Sequence, residues 1–127
     1  MESSGSTARD QAMRLLREGS PTESIDFLRQ AITEEPSDVD LYLFLGLAYA
    51  KTEELEKAIE VLENAVDVAP TSAKVHYNLG IAYQKSRNIT LAKDEFLRAL
   101  GLDPSYVAAK QALDMLSNQA ADESANV

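Results

Sequence analysis

Apolar and small residues recur along this chain at a fixed displacement. Tyr42, Leu45, Gly46, Tyr49, Ala58, Leu62, Ala65 and Pro70 return, without slippage at any position, as His76, Leu79, Gly80, Tyr83, Ala92, Phe96, Ala99 and Pro104. One step back stand Ala8, Gln11, Ala12, Leu15, Ser24, Leu28, Ala31 and Pro36, which keep the small positions and the proline but lose the aromatic and the Leu-Gly pair. A period of about 34 residues marks supersecondary units that bury their apolar faces on one another. Gly46, Ala58 and Ala65 are small where two antiparallel helices must approach closely, and Tyr42, Tyr49 and Leu62 fill the space on either side. Pro70 stops the second helix, because it lacks an amide hydrogen and clashes with the preceding turn. Each unit is thus a helical hairpin of limited length.

Start signals agree with this pattern. Ser20-Pro21-Thr22-Glu23 reads as a capping box with proline at the first helical position. Ser37 with Asp40 is a weaker start, Thr71 or Ser72 would cap the third hairpin, and Ser105 would cap the last helix. Helices are predicted near 6–18, 22–35, 38–51, 54–68, 73–86, 89–102 and 105–119, with no strand. In the last of them Val107, Ala109, Ala112, Leu113 and Leu116 would form the buried side. Lys110, Asp114 and Ser117 would face water, as the end of a stack requires.

The order aromatic, Leu-Gly, Tyr, Ala, Phe and Pro, present in two full copies, resembles the tetratricopeptide repeat family. The resemblance implies an all-α fold, a right-handed superhelical stack of three helix-turn-helix hairpins plus a C-terminal capping helix. Its repeats would span about 5–38, 39–72 and 73–106, with the capping helix at 105–119. A flexible N-terminus at 1–4 and a disordered tail at 120–127 complete the expected organisation.

In proteins of this kind the first helices of successive hairpins line a concave surface, where partners bind as peptides. Transferred by helical position, the lining would be Arg9, Met13, Leu16 and Arg17, then Asp40, Leu43, Phe44, Leu47 and Lys51, then Lys74, Tyr77, Asn78, Ile81 and Lys85, with Gln111 and Met115 extending it. Met13, Leu43, Phe44, Leu47, Tyr77 and Ile81 would make an apolar strip, a recognised mark of a binding site, centred on Phe44. Arg9, Arg17, Lys51, Lys74 and Lys85 gather around it although acids outnumber bases by 21 to 12, which points to an acidic or carboxylate-bearing peptide. The competing reading is that Leu41 to Ala50, apolar nearly all round, is a buried helix at the crowded centre of a stack, and that the bases are merely solvated. Some members of the family hold a chaperone's C-terminal carboxylate in a clamp of Lys, Asn, Asn, Lys and Arg. Here Lys74 matches one lysine and Arg9 substitutes for the other, but Met13 and Phe44 replace the asparagines and Asn78 replaces the arginine. That donor geometry is largely missing.

Composition narrows the function classes. A chain of 127 residues suits one domain, and 45% hydrophobic with 26% charged residues is globular composition. The net charge of −9 opposes nucleic acid and anionic bilayers, and the longest apolar run, ten residues from Leu41, is half of what a membrane span needs. With no cysteine and the single His76 standing at an aromatic position between packed helices, neither a metal site nor a cofactor is expected. No phosphate loop or nucleophile constellation occurs, so no enzyme is expected. Asn88-Ile89-Thr90 fits a glycosylation triplet but lies where Asn and Thr cap helices. The acidic cluster from Glu53 to Asp67 reads as a solubilising face with a Glu53–Lys57 surface pair. Met1 to Asp10 lacks a secretory pattern, so a cytoplasmic location is expected. These features together describe a protein-interaction module, a scaffold or adaptor that binds another protein's peptide or helix. The alternative is a homo-oligomeric assembly module using the same apolar surface.

Overall fold

The structure, a computed structural model, describes residues 7–125, with side chains through Gln119. Its described residues form seven α-helices and no strand: Ala8–Arg17 (α1), Pro21–Glu34 (α2), Val39–Lys51 (α3), Leu55–Val68 (α4), Ala73–Lys85 (α5), Ile89–Leu102 (α6) and Val107–Ala125 (α7). Their ends lie within two residues of the sequence expectation except at the last terminus. There the expected disordered tail is corrected: residues 120–125 continue α7, because Ala-Ala-Asp-Glu-Ser-Ala offers neither glycine nor proline to stop it. Residues 1–4, and 126–127 of the expected tail, lie outside the described residues.

The chain divides into two compact units, the first ending at Ala69 and the second beginning at Pro70. In the first unit α1 packs on α2, α2 on α3 and α3 on α4. In the second, α5 packs on α6 and α6 on α7. The first unit's core joins Ala8, Ala12, Leu28, Ala31, Leu41, Leu45, Ala48, Tyr49 and Ala58. In the second, Val75, Leu79, Ala92, Phe96, Ala99, Ala109 and Leu116 are buried. Helix α7 buries Ala109, Ala112 and Leu116 and half-buries Leu113, whereas Val107, expected inside, is 64% exposed because it opens the helix before the packed face begins. Lys110, Asp114 and Ser117 are exposed, as expected. They stand one repeat beyond His76, Gly80 and Tyr83, so α7 is polar where α5 is buried.

The three turns inside the hairpins are built alike. Gly19, Glu53 and Arg87, which follow one another at the repeat interval, have φ of 78°, 63° and 67°. In each turn the next residue's amide reaches back to the carbonyl of Leu15, Tyr49 or Tyr83 at 2.8 Å, and the left-handed residue itself bonds Leu16, Ala50 or Gln84 at 3.0–3.2 Å. This is the Schellman closure, which satisfies the last carbonyls of a helix. The same closure bears on the starts of the second helices. Ser20 precedes α2 but makes no capping bond, and neither do Glu54 and Asn88 at the same place, because each is already held as the residue that closes the preceding helix. The Asn88 amide bonds the Ser86 hydroxyl instead.

Starts of the first helices are capped by side chains: Thr7 accepts from Asp10 N, Asp38 from Asp40 N and Ser72 from Val75 N. Asp38, not Ser37, therefore opens α3. Ser105 caps nothing, since its amide and hydroxyl both bond Asp103 Oδ1 and α7 starts two residues later. Glu53 lies outside the helix, so Lys57 pairs with Glu54 at 3.1 Å rather than with Glu53. The Glu54 carboxyl is held below its ordinary range by hydrogen bonds from Thr52 and Lys57.

Two close approaches set the hairpin spacing. A Cβ at Gly46 would lie 2.9 Å from Leu62 Cγ, and one at Gly80 would lie 2.6 Å from Phe96 Cε1. Alanine in mid-helix gains about 1 kcal/mol of propensity over glycine, but overpacking a full core costs about 1–3 kcal/mol. Phe96 is rigid and fully buried, so Gly80→Ala should show net destabilisation in urea unfolding, by more than Gly46→Ala, where only a branched Leu must shift. At the turns only backbone strain counts, of about 1 kcal/mol for a non-glycine residue. Arg87→Gly should therefore raise stability by about that amount, and Gly19→Ala, with nothing within 4 Å of the added carbon, should lower it similarly.

Candidate functional site

In the first unit the expected lining residues separate into two groups. Arg9 Nη1 forms an ion pair with Asp38 Oδ2, while the other oxygen of Asp38 caps α3. Arg9 thus ties α1 to the start of α3 and is not an uncommitted base. Leu43 is 8% exposed and belongs to the core, because α3 is covered on most of its circumference. Phe44 and Leu16 are half-buried and pack against the same core cluster, so the expected centre of the site is largely a packing residue. Asp40 is half-buried. Met13 is half-buried, Arg17 and Lys51 are exposed, and Leu47 is 47% exposed. A depression of about 410 Å³ on α1 is lined by Met13 and Arg17 with Asp10, Gln11 and Arg14.

The second unit sorts its residues similarly. Tyr77 is half-buried in an aromatic cluster, 5.8 Å from the Phe96 ring and 5.3 Å from the Tyr106 ring between centroids. Burial pushes the Tyr106 phenol up from its ordinary value, and Tyr77 and Asp103 push the same way. Asn78 turns its amide to the Lys74 carbonyl at 2.8 Å, back along its own helix. Ile81 is half-buried, Lys74, Lys85 and Gln111 are exposed, and Met115 is 58% exposed.

What remains outward has a common form. Met13 and Arg17 on α1, Leu47 and Lys51 on α3, and Ile81 and Lys85 on α5 are each an apolar residue followed four positions later by a base. That spacing puts both side chains on one helix face. Met115 on α7 repeats the apolar position, with Gln119 in place of the base. Each base sits in the last turn of its helix, where the helix dipole favours a cation.

Two features lie outside the predicted lining. A cleft of about 180 Å³ in the first unit is floored by Ile32, Tyr42, Leu45 and Val61 and rimmed by Arg29 and Asn64. Four of these six residues belong to the second helices, which an expectation confined to first helices passes over. The other is a buried His76–Glu95 pair at 2.8 Å. Its signal in the sequence was a histidine at an aromatic position, together with a glutamate on a face otherwise apolar. Among the described residues no group of three or more His, Asp or Glu could hold a metal ion, and no helix is long and apolar enough to cross a membrane.

Residues 46–86 match a family model described as TPR repeat, and residues 73–106 match one described as tetratricopeptide repeat. No curated protein matches the sequence. Among solved structures, the second TPR domain of human RPAP3 in complex with the HSP70 peptide SGPTIEEVD is 20% identical, with a TM-score of 0.82 over 89% of this chain and 94% of that one. The first TPR domain of human RPAP3 is 20% identical, with a TM-score of 0.84 over 94% of each chain. The first TPR of Spaghetti (RPAP3) bound to the HSP90 peptide SRMEEVD is 21% identical, with a TM-score of 0.83 over 90% of each chain. At such identities the likeness is one of fold. Residues 46–106 therefore carry tetratricopeptide repeats, and the repeated signature and paired helices continue the same pattern on either side.

Proposed function

We propose that the chain is a protein-interaction module that binds a short segment of another protein on the outward faces of the first unit's α1 and α3, taking apolar side chains against Met13 and Leu47 and acidic groups near Arg17 and Lys51; Ile81 and Lys85 offer the same pairing in the second unit. The observation that carries this reading is the repeated pairing of an apolar residue with a base one turn later on α1, α3 and α5. A chain with net charge −9 places bases at this position in all three hairpins. The apolar members supply most of the affinity, and the bases steer encounter more than they tighten it. Leu47 replaces Phe44 as the centre, since Phe44 is engaged with the core.

The neighbours support the class of ligand. Two of those TPR domains are bound to peptides that combine Ile or Met with Glu-Glu-Val-Asp. This chain differs in the means: Met13, Phe44 and Asn78 stand where a carboxylate clamp needs Asn, Asn and Arg, and Arg9 is engaged with Asp38. Its partner is therefore recognised by side chains along the segment rather than by a terminal carboxylate.

Leu47→Asp changes an exposed residue and should leave thermal unfolding unchanged while weakening a Leu- and Glu-bearing amphipathic peptide about tenfold or more in a fluorescence titration. Lys51→Glu should mainly slow association and flatten its salt dependence. SGPTIEEVD and SRMEEVD, titrated alongside, should bind more weakly than the amphipathic peptide. Undiminished affinity in Leu47→Asp would overturn the assignment of the site.

A further inference from the structure

The α5–α6 hairpin carries a buried charged cluster that peptide binding does not use. His76 is the repeat counterpart of Tyr42, whose hydroxyl donates to the Pro36 carbonyl at 2.7 Å. His76 Nε2 lies 2.8 Å from the carbonyl oxygen of Pro70, itself the counterpart of Pro36. The same step turns Val61 into Glu95 and Asn64 into Arg98. Where α3 and α4 place Tyr42, Val61 and Asn64, the next hairpin thus places a histidine, a carboxylate and a guanidinium. His76 Nδ1 is 2.8 Å from Glu95 Oε1, and Arg98 Nη1 is 2.5 Å from Glu95 Oε2. The side chains of His76 and Glu95 are each only 8% exposed, so neither finds its partner in bulk water.

Both ring nitrogens of His76 therefore face oxygen acceptors. A carbonyl only accepts, and an ionised carboxylate only accepts, whereas a neutral imidazole has one donor and one acceptor nitrogen. A neutral ring would set a lone pair against one of those oxygens, in a place where an unmatched polar group is costly. A ring with two N–H groups satisfies both, and its charge compensates a carboxylate whose other partner, Arg98, is 62% exposed. We propose that His76 is held as the doubly protonated imidazolium in the folded protein, and that its proton fastens the segment leading into α5 to helix α6. The groups facing the ring are Glu95 with Arg98 behind it, from α6, the helix paired with α5 in this unit, and the uncharged carbonyl of Pro70.

The second unit is then a proton-sensitive clamp. With both ring nitrogens protonated, the folded chain keeps a proton that the unfolded chain gives up above the ordinary imidazole range. Stability contributed by the proton is present below that range and is lost as pH rises. No catalytic group is involved, and the device is independent of the peptide-binding face.

The chain has one histidine, so a long-range proton–nitrogen correlation spectrum of labelled protein reads His76 alone. At pH 7 both ring nitrogens should carry hydrogen in the unmodified chain, and one should become bare in Glu95→Gln. Urea unfolding between about pH 6 and 8 gives a second readout. The folding constant should fall with rising pH. His76→Tyr, which keeps a donor for Pro70 as Tyr42 does for Pro36, should stay flat over that range. A bare ring nitrogen at pH 7 in the unmodified chain, or equal pH slopes in the two proteins, overturns the proposal. Should His76→Tyr fail to fold, the spectrum of the unmodified chain decides alone.

Discussion

The contact on which the second and third hairpins depend is that of a glycine on the first helix with a large apolar side chain on the second, a place that Ala12 takes in the first hairpin. Gly46 under Leu62 and Gly80 under Phe96 let two helix backbones approach until no room for a methyl group remains. Ala58, Ala65, Ala92 and Ala99 on the second helices are 0% exposed and keep the same approach open along the length of the pair. Interiors packed to this density transmit any change in volume to their neighbours, which is why the positions repeat so strictly.

That approach decides how much of each first helix is left for anything else. In α3 the buried residues Leu41, Leu43, Leu45, Gly46, Ala48 and Tyr49 nearly encircle the helix, so only a narrow strip bearing Leu47 and Lys51 faces outward. In α5 the burial of Val75, His76, Leu79, Gly80, Ala82 and Tyr83 leaves Lys74 and Lys85 exposed and Ile81 half-buried. The proposed site is thus the remainder of packing. Its apolar members are held in place by helices whose other sides are buried in the core, which would lower the cost of ordering them on binding.

Hairpin closure imposes a second constraint, met differently in successive repeats. The left-handed turn position carries glycine in the first repeat, which lacks the aromatic and Leu-Gly marks, and Glu53 or Arg87 in the two full copies. The donor to the proline carbonyl is a phenol at Tyr42 and an imidazole at His76. A phenol supplies one donor and stops there. An imidazole has a second nitrogen that must also be satisfied, and Glu95 on the facing helix satisfies it. At the histidine repeat a buried carboxylate therefore stands in an otherwise apolar interface, with the exposed Arg98 guanidinium on its outer oxygen.

By itself the sequence determined the helices, their hairpin pairing and the small positions between them. Each of these follows from local spacing: a glycine, an alanine or a proline at a given place acts on its own turn of helix. The four-residue spacing of Met13, Leu47 and Ile81 from their following bases is a local pattern of the same kind. Tertiary structure alone decided which of the other lining residues remain outward, because that depends on partners distant in the chain. Arg9 found Asp38, Phe44 and Leu16 found the core of the first unit, and Tyr77 found Phe96 and Tyr106. His76 could be placed from its spacing. Its pairing with Glu95 could not, since two side chains 19 residues apart meet only when α5 and α6 have packed.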